Sequence, residues 1–301
     1  MRHLSLGGIY NEFFHHEDWN VGIVCEPITA FLKSDADRGV HWLPRRAGPK
    51  FLADPFGIAR GGTVHILCEE FDYRASRGRI VSIELREGTT SRPRVALDMP
   101  FHTSHPFLFE SGGEIYCVPE TSRAREISLY TPVDFPHRWK KAATLVSGFA
   151  GSDNAVFQHE GCWWLTSHNS GALFVWYSPD LFGPWRPHEP NPVKIDLGSS
   201  RPGGTPFMHD GFLYRPAQDC SRAYGGRIVI NRVTRLAPTG FAEEKAAVVE
   251  PCPKGPYPDG LHTLSAVGDI TLVDGSRHMF IKSAFKHALF SRIRGAKDRH
   301  A

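Results

Sequence analysis

Acidic and imidazole side chains recur along this 301-residue sequence at intervals of about fifty residues. The first set opens five similar stretches of chain and comprises Asp54, His105, Asp153, Thr205 and His262. A second set follows roughly fifteen residues later in four of these stretches and comprises Glu69, Glu120, His168 and Asp219. Carboxyl and imidazole groups are common proton carriers in enzyme active sites. The spacing therefore indicates acid–base chemistry, provided that the fold brings these distant residues together.

The stretches that carry these residues are copies of one sequence unit. Two of them read HPFLFESGGEIYCVPE from residue 105 and TPFMHDGFLYRPAQ from residue 205. Each has a short apolar run, a glycine-bearing turn and a second, aromatic-containing run, which is the pattern of a β-hairpin. About four short strands in every fifty residues are typical of a propeller blade. We therefore predict an all-β, five-bladed β-propeller over residues 1–281, with blades that begin near residues 54, 105, 153, 205 and 262.

A propeller would bring both sets of polar residues to one place. The innermost strands of all blades begin at the same mouth of the central channel, and each following strand returns to that mouth as the second half of an antiparallel hairpin. We expect two rings of polar side chains to face a common cavity, where buried carboxylates are costly unless they serve a function. Hydrogen bonding between blades is the alternative role for any single member.

The last twenty residues, 282–301, differ from the repeats. Their apolar residues fall at helical spacing and are surrounded by lysine and arginine side chains. The pattern predicts a short basic helix. Such a helix either closes the rim of the propeller or makes peripheral contact with an anionic membrane, and the sequence leaves both alternatives open.

The bulk composition excludes several classes of protein. The formal net charge is only +3, and no run of basic residues precedes the C-terminal tail, so we expect no nucleic-acid partner. The N-terminus shows no apolar segment of signal-peptide type, and no stretch approaches the length needed to cross a bilayer. We therefore expect a cytoplasmic protein.

Several motifs resemble a known family. They are FLADPFG (51–57), HPFLFESGGEIYCVPET (105–121), YSPDLFGPWRPHEPNPVK (177–194), RPGGTPF (201–207) and LYRPAQDCSRAYG (213–225). A five-bladed propeller with Asp-Pro in its first inner strand resembles glycoside hydrolase families 43 and 32. More narrowly, the motifs look like the propeller domain at the N-terminus of glucosamine inositolphosphorylceramide transferases and of related bacterial polysaccharide-locus proteins. The resemblance runs from about Trp42 to Met279.

The resemblance implies roles for three carboxyl groups. Asp54 matches the hydrolase base or nucleophile, and Asp153 matches the carboxylate that tunes proton affinity and holds a hydroxyl. The usual acid, a glutamate after the third blade, has no match, and Glu120 from the second blade is the candidate substitute. The fourth blade instead carries Arg201, Arg215, Gln218 and Asp219, a set suited to carboxylates, phosphates and vicinal hydroxyls. The remaining candidates for substrate binding are Glu69, His105, His168 and His262.

Two functions are consistent with this pattern. The first is a carbohydrate-active enzyme like those of glycoside hydrolase family 43, acting on a glycosidic bond or sugar conjugate in the central funnel. The alternative is a non-hydrolytic sugar-binding or glycosyltransferase-type propeller in surface polysaccharide or glycolipid biosynthesis. Either would take a carbohydrate, sugar nucleotide or glycolipid as its ligand. The sequence contains no metal-ligand motif or phosphate-binding glycine loop, so we expect no obligatory cofactor, and a structural ion in the channel stays open.

Overall fold

A computed structural model describes residues 16–33 and 38–280 of the chain, which form five antiparallel sheets of four or five strands. The first strands, β1 (His16–Val24) and β2 (His41–Trp42), belong to the last sheet. Blade I comprises β3 (Lys50–Arg60), β4 (Thr63–Asp72), β5 (Arg77–Arg86), β6 (Thr89–Thr90) and β7 (Arg94–Leu97). Blade II comprises β8 (Ser104–Ser111), β9 (Glu114–Glu120), β10 (Glu126–Asp134) and β11 (Arg138–Ser147).

The other three blades follow the same plan. Blade III comprises β12 (Ser152–His159), β13 (Cys162–Asn169), β14 (Ala172–Ser178), β15 (Arg186–Pro187) and β16 (Lys194–Ile195). Blade IV comprises β17 (Arg201–Pro202), β18 (Phe207–His209), β19 (Phe212–Asp219), β20 (Arg227–Ala237) and β21 (Gly240–Val249). Blade V comprises β22 (Leu264–Val267), β23 (Ile270–Met279) and the two N-terminal strands. The predicted all-β, five-bladed propeller is confirmed.

Tight glycine turns join the first two strands of the early blades. Gly61 and Gly62 connect β3 to β4, and Gly112 and Gly113 connect β8 to β9; all four have positive φ angles. Residues with a Cβ atom rarely adopt this backbone conformation, whereas glycine does so at little cost. These turns set the direction in which each hairpin returns to the mouth of the channel.

The N-terminal strand closes the ring. All nine residues of β1 pair with β23, from His16 opposite Met279 to Val24 opposite Thr271. The repeat pattern does not indicate this strand, because β1 precedes the first copy of the unit. Closure leaves blade V with strands from both ends of the described chain and brings N-terminal side chains to the channel.

The hydrophobic core lies between the blades. One cluster of buried side chains joins blades I, II and III through residues such as Phe56, Phe107 and Leu165. Two further clusters join blade V to its neighbours, with Leu272 against blade I and Leu264 against blade IV. The apolar faces of the sheets are buried against each other, and their polar strand ends are left at the mouth.

Blades IV and V contact each other closely at Gly204. A Cβ atom at this position would lie 1.8 Å from the carbonyl oxygen of Leu264, and the φ angle of Gly204 is +140°. We expect Gly204→Ala to lower the free energy of unfolding by about 2–5 kcal/mol in urea titrations, because overpacking adds to the backbone cost. Gly211→Ala is the control: its φ is +79° but nothing lies within 4 Å, so about 1–2 kcal/mol is expected. Equal losses would contradict a packing role for Gly204.

Within the described ranges, no helix combines the length and the apolar character needed to cross a bilayer. The only helical segments there are two short 3-10 turns, Ile28–Leu32 and Ser122–Ala124. The predicted C-terminal helix over 282–301, and with it the predicted membrane contact, lies outside the described residues.

Candidate active site

The inner strands of blades I, II and III share one backbone feature. Asp54, His105 and Asp153 occupy the same position of the repeat and have φ angles of +52°, +44° and +52°. Each lies at a β-bulge, where the register of the inner strand shifts against its neighbour. Bulges redirect side chains, and aspartate and histidine tolerate positive φ better than most residues. The repeat therefore directs these three side chains toward one another across the channel.

A cavity of about 270 Å³ lies at this mouth of the propeller. Six residues predicted from the sequence line it: Asp54, Glu69, Glu120, Asp153, Arg201 and His262. Its volume is slightly below the roughly 300–1,000 Å³ of ordinary small-molecule sites. The space suits a ligand about the size of one sugar ring, and we call it the pocket.

Asp54 carries a negative charge in the pocket. Its Oδ2 accepts a hydrogen bond from the backbone N–H of His105 (3.1 Å), and its Oδ1 accepts one from Thr263 Oγ1 (3.3 Å). Burial by itself would raise the pKa of Asp54, but the charges of His262, His105 and Arg201 outweigh it and hold that pKa well below its usual range. Asp54 is therefore ionised at any physiological pH.

Two glutamates of the same pocket have raised pKa values, in contrast to Asp54. Burial, reinforced by Asp153, raises the pKa of Glu120 to about 7 despite the opposing charge of Arg201. Burial also raises the pKa of Glu69 well above its usual value, and the carboxylates of Asp54 and Glu120 add to that effect. Glycine at position 78 makes room for Glu69, because a Cβ there would lie 1.9 Å from Glu69 Oε1. The pocket thus combines a carboxylate that stays charged with carboxyls that hold a proton.

Asp153 is fixed by residues of blade IV. Arg201 binds its Oδ2 through Nε, and Gln218 Nε2 donates to the same oxygen at 3.2 Å. The backbone N–H of Asp153 donates to Glu120 Oε2 at 3.3 Å. The predicted blade IV residues Arg201 and Gln218 therefore position a carboxylate, and Gln218 is fully buried behind it.

His105 lies beneath the two aspartates and is fully buried. Its Nδ1 is 3.4 Å from Asp153 Oδ1 and 3.8 Å from Asp54 Oδ1, and neither ring nitrogen makes a hydrogen bond within the described part of the chain. Asp54, His105 and Asp153 offer donor atoms within 4.8 Å of one another, and so do Asp54, His262 and Asp274, so either set could hold a metal ion. A protonated imidazole would satisfy the same carboxylates. The expectation of no obligatory cofactor stays a prediction.

His262 connects blade V to Asp54. Its Nδ1 lies 2.6 Å from Asp274 Oδ2 and its Nε2 lies 3.4 Å from Asp54 Oδ1, while its ring stacks on Trp19 with centroids 4.0 Å apart. Burial would lower the pKa of His262, but the carboxylates of Asp274 and Asp54 outweigh it and raise that pKa to about 9. His262 is therefore a cation at neutral pH.

The charge on His262 makes the stability of the fold depend on pH. Because its folded-state pKa of about 9 exceeds its ordinary value of 6.5, this contribution is complete below pH 6.5 and is lost as the pH rises through 9. We expect the wild-type free energy of unfolding to fall by about 3 kcal/mol over that window. His262→Gln should flatten the fall, whereas His209→Gln, at the far end of blade IV, should not. An identical pH profile for His262→Gln and wild type would contradict the assignment.

Besides His105 and Gln218, which contact the pocket's aspartates, three predicted substrate-binding residues lie outside the pocket lining. Arg215 is buried and bound by the carboxylate of Glu243, with Nε at 2.9 Å from Oε2 and Nη2 at 2.6 Å from Oε1. Asp219 pairs with Arg227 at 2.8 Å. His168 lies in a groove beside the pocket. The geometry gives no support to a ligand role for Arg215 or Asp219, because other side chains of blade IV already hold their charged groups.

The Arg215–Glu243 pair stabilises blade IV. Both side chains are 2% exposed, and Glu243 also binds Lys194 at 2.8 Å. We expect Glu243→Gln to lower the free energy of unfolding by about 3–5 kcal/mol, because it leaves a buried cation without its counter-charge. Its neighbour Glu244 pairs with Arg232 at the surface, so Glu244→Gln should cost less than about 1 kcal/mol. Urea unfolding of both variants measures the difference, and a Glu243→Gln loss no larger than that of Glu244→Gln would refute it.

Sequence reasoning missed several residues that line the pocket or support its lining. Trp19 and Tyr224 form one wall, and the guanidinium carbon of Arg201 lies 4.9 Å from the Tyr224 ring centroid. Asp274, fully buried, accepts backbone hydrogen bonds from Asp54 and His262 at 3.0 Å. An aspartate in the middle of an apolar strand was a usable signal for Asp274, whereas nothing in the repeats indicates Trp19. Three further aromatic residues, Phe51, Phe71 and Tyr73, also line the pocket.

Comparison with known proteins identifies relatives of this chain. Residues 44–255 match the sequence profile of the family described as glucosamine inositolphosphorylceramide transferase 1, N-terminal. The transferase of that name from Arabidopsis thaliana is 35% identical over 206 residues, which are 64% of this chain and 27% of the relative. The protein from Oryza sativa subsp. japonica is 34% identical over the same shares. This chain thus spans 27% of the length of the curated relatives it matches.

Solved structures share the fold at low sequence identity. One structure, from the GH130 family, gives a TM-score of 0.54. That family is described as mannoside phosphorylases that include glycoside hydrolases of β-1,2 mannosidic linkages in Candida mannan. The structure is 11% identical, and the match covers 75% of this chain and 84% of that one. The exo-β-1,3-galactanase 1,3Gal43A from Clostridium thermocellum gives 0.53 at 13% identity, covering 71% and 57%. The fold is thus that of glycoside hydrolase propellers, and the chain belongs to the family of N-terminal domains of glucosamine inositolphosphorylceramide transferase 1.

Proposed function

We propose that this propeller binds a sugar in the pocket and catalyses acid–base chemistry at its glycosidic bond. One observation carries the proposal: Asp54, held ionised, and Glu120, with a pKa raised to about 7, line the same small cavity. Glycoside chemistry needs this division, with a charged carboxylate at the anomeric carbon or its nucleophile and a protonated carboxyl at the departing oxygen. The relatives are named transferases, and the fold is that of glycoside hydrolase propellers. Both support a sugar as the ligand.

Each group has a defined part in this reaction. Glu120 gives its proton to the glycosidic oxygen as the bond from that oxygen to the anomeric carbon breaks. Asp54 either attacks the anomeric carbon or takes a proton from the hydroxyl that attacks it. Asp153, fixed by Arg201 and Gln218, accepts a hydrogen bond from a sugar hydroxyl. The aromatic walls exclude water and cover the apolar face of the ring.

The relatives' names guide the choice of sugar. They include glucosamine, an amino sugar, and the pocket lining includes carboxyl groups, which can accept a hydrogen bond from an amine. Glucosaminides are therefore the first candidates for the substrate.

The second candidate function is sugar binding without turnover, in a propeller that serves a glycosyltransferase. Both oxygens of Asp54 already accept hydrogen bonds from the protein, which favours a binding role over nucleophilic attack. The relatives covered by this comparison are named transferases, and this chain matches about a quarter of their length. Under this alternative the pocket recognises the same sugar and leaves its bond intact.

A screen of the purified chain separates the two. We would measure both thermal stabilisation and product release for 4-nitrophenyl glycosides, including the glucosaminides, and for nucleotide sugars. The proposal expects at least one compound that is bound and turned over; a ligand at 100 times its dissociation constant stabilises the fold by about 2.7 kcal/mol. Binding without turnover throughout the panel selects the alternative. Neither binding nor turnover of any sugar rejects both.

A further inference from the structure

The pocket is not closed on the side between blades II and III. An open groove of about 400 Å³ adjoins it there, and Glu120 and Arg201 line both spaces. The rest of the groove is formed by strand ends and turns of these two blades and comprises Ser122, Arg123, Ala150, Ser152, His168, Asn169 and Ser170. A ligand that fills the pocket with one sugar ring could therefore extend past Glu120 into the groove.

The groove presents two guanidinium groups with unused donors. Arg123 is exposed and makes no hydrogen bond or ion pair within residues 16–33 and 38–280. Arg201 uses Nε for Asp153, and its terminal nitrogens make no hydrogen bond to the described residues. Arg125, two positions beyond Arg123, differs because its Nη2 donates to the carbonyl of Gly148 at 3.0 Å. The groove thus has unused cationic donors from blade II and from blade IV.

Glu120 is the acidic side chain among the groove's lining residues, and the charge of Arg201 is already paired with Asp153, so the unpaired positive charge of the groove is that of Arg123. Ser122 donates to Glu120 Oε1 at 3.1 Å. His168 accepts from the backbone N–H of Gly171 at 3.1 Å and contacts Ser152 Oγ at 3.3 Å, and burial with the nearby charge of Arg201 lowers its pKa. His168 is therefore neutral at pH 7. Arginine forks bind carboxylate and phosphate oxygens through paired, charge-assisted hydrogen bonds.

We infer that the groove is a second subsite that takes an anionic oxygen group, phosphate or carboxylate, carried by the part of the ligand joined to the pocket sugar. The inference rests on the proposed function for the pocket and deepens it by naming the chemistry of the second moiety. Glu120 and Arg201 at the junction would lie beside the bond between the two moieties. Arg123 would bind the anionic group.

Calorimetric titrations with glucose, glucose 1-phosphate, a glucosyl-glucuronic acid disaccharide and inorganic phosphate test this. Wild type should bind glucose 1-phosphate at least about tenfold more tightly than glucose, because a charge-assisted hydrogen bond contributes that much. Arg123→Gln should weaken glucose 1-phosphate and inorganic phosphate by at least about fivefold and change glucose by less than about twofold. The control Arg125→Gln should change none of these. If binding of the disaccharide, whose second ring carries a carboxylate, also depends on Arg123, the subsite accepts carboxylates as well as phosphate. If its binding does not depend on Arg123, the subsite is restricted to phosphate.

The outcomes distinguish the two proposals. The second subsite is overturned if glucose 1-phosphate binds no better than glucose. It is also overturned if Arg123→Gln binds phosphate as tightly as wild type does. If phosphate binding depends on Arg123 but the protein neither binds nor turns over any sugar, the anion subsite is supported and the proposed function of the pocket is rejected. Sugar turnover without any effect of the anionic group keeps the pocket and rejects the groove.

Discussion

Asp54→Asn is expected to reduce turnover of the glycoside found in the screen by roughly 10³-fold, within the range of 10²–10⁴ for loss of a positioned base. The substitution keeps the size of the side chain and removes its charge. Asparagine also tolerates the positive φ of +52° at this position, so the bulge should be preserved. Turnover measured at saturating substrate, beside a thermal unfolding curve, separates the loss of chemistry from a loss of fold.

Asp210→Asn is the matched control for Asp54→Asn. Asp210 also has a positive φ, +48°, but its side chain is 82% exposed in the turn between β18 and β19, away from the mouth. Its replacement should leave turnover unchanged within about twofold. If Asp54→Asn retains wild-type turnover while folding normally, Asp54 is neither base nor nucleophile, and the catalytic role proposed for it is wrong.

Glu120→Gln is expected to have the second largest effect, a loss of roughly 10²–10³-fold that depends on the leaving group. Glutamine cannot donate a proton to the departing oxygen, so glycosides with poor leaving groups should suffer most. Because the pKa of Glu120 is about 7, wild-type turnover should be highest below pH 7 and should fall as the pH rises above it. The Glu120→Gln variant should lose this alkaline limb.

The pH profile distinguishes a proton donor from a structural residue. Glu110→Gln, on the exposed end of β8 in the same blade, should keep both the rate and the alkaline limb of wild type. A Glu120→Gln variant that is slow but keeps the same limb near pH 7 would assign the proton to another group. In that case Glu69, the other carboxyl with a raised pKa in the pocket, would be the acid to test.

Local repetition explains which residues of the site were predictable. Asp54, His105 and Asp153 share a repeat position, and the same bulge places each of them at the mouth, so one pattern in the sequence predicted three neighbours. On the returning strands of the hairpins, Glu120 ends β9 opposite Ser104, and Glu69 lies three residues before the end of β4, opposite Ala53. Hairpin geometry depends on residues close in the chain, which is why it could be read without the tertiary structure.

The predicted residues of blade IV lie on two different faces of their strand. Arg201 and Gln218 pair with each other and reach Asp153, but Arg215 and Asp219 lie at odd offsets from Gln218 on the same strand. Side chains alternate between the two faces of a strand, so residues an odd number of positions apart point to opposite sides. The four predicted residues of blade IV therefore do not share one face, and Arg215 forms a buried pair with Glu243.

The amino-acid sequence by itself determined the repeated hairpins, the five blades and the recurrence of acidic and imidazole residues at the mouth, because these follow from patterns within about fifty residues. Only the tertiary structure decided the rest. Ring closure by β1 places Trp19 against His262, which lies 243 positions further along the chain. Burial in the completed ring then determines which carboxyl groups hold protons. Both depend on groups that are distant in sequence and meet only when the ring is complete, since desolvation and Coulomb interactions act through space.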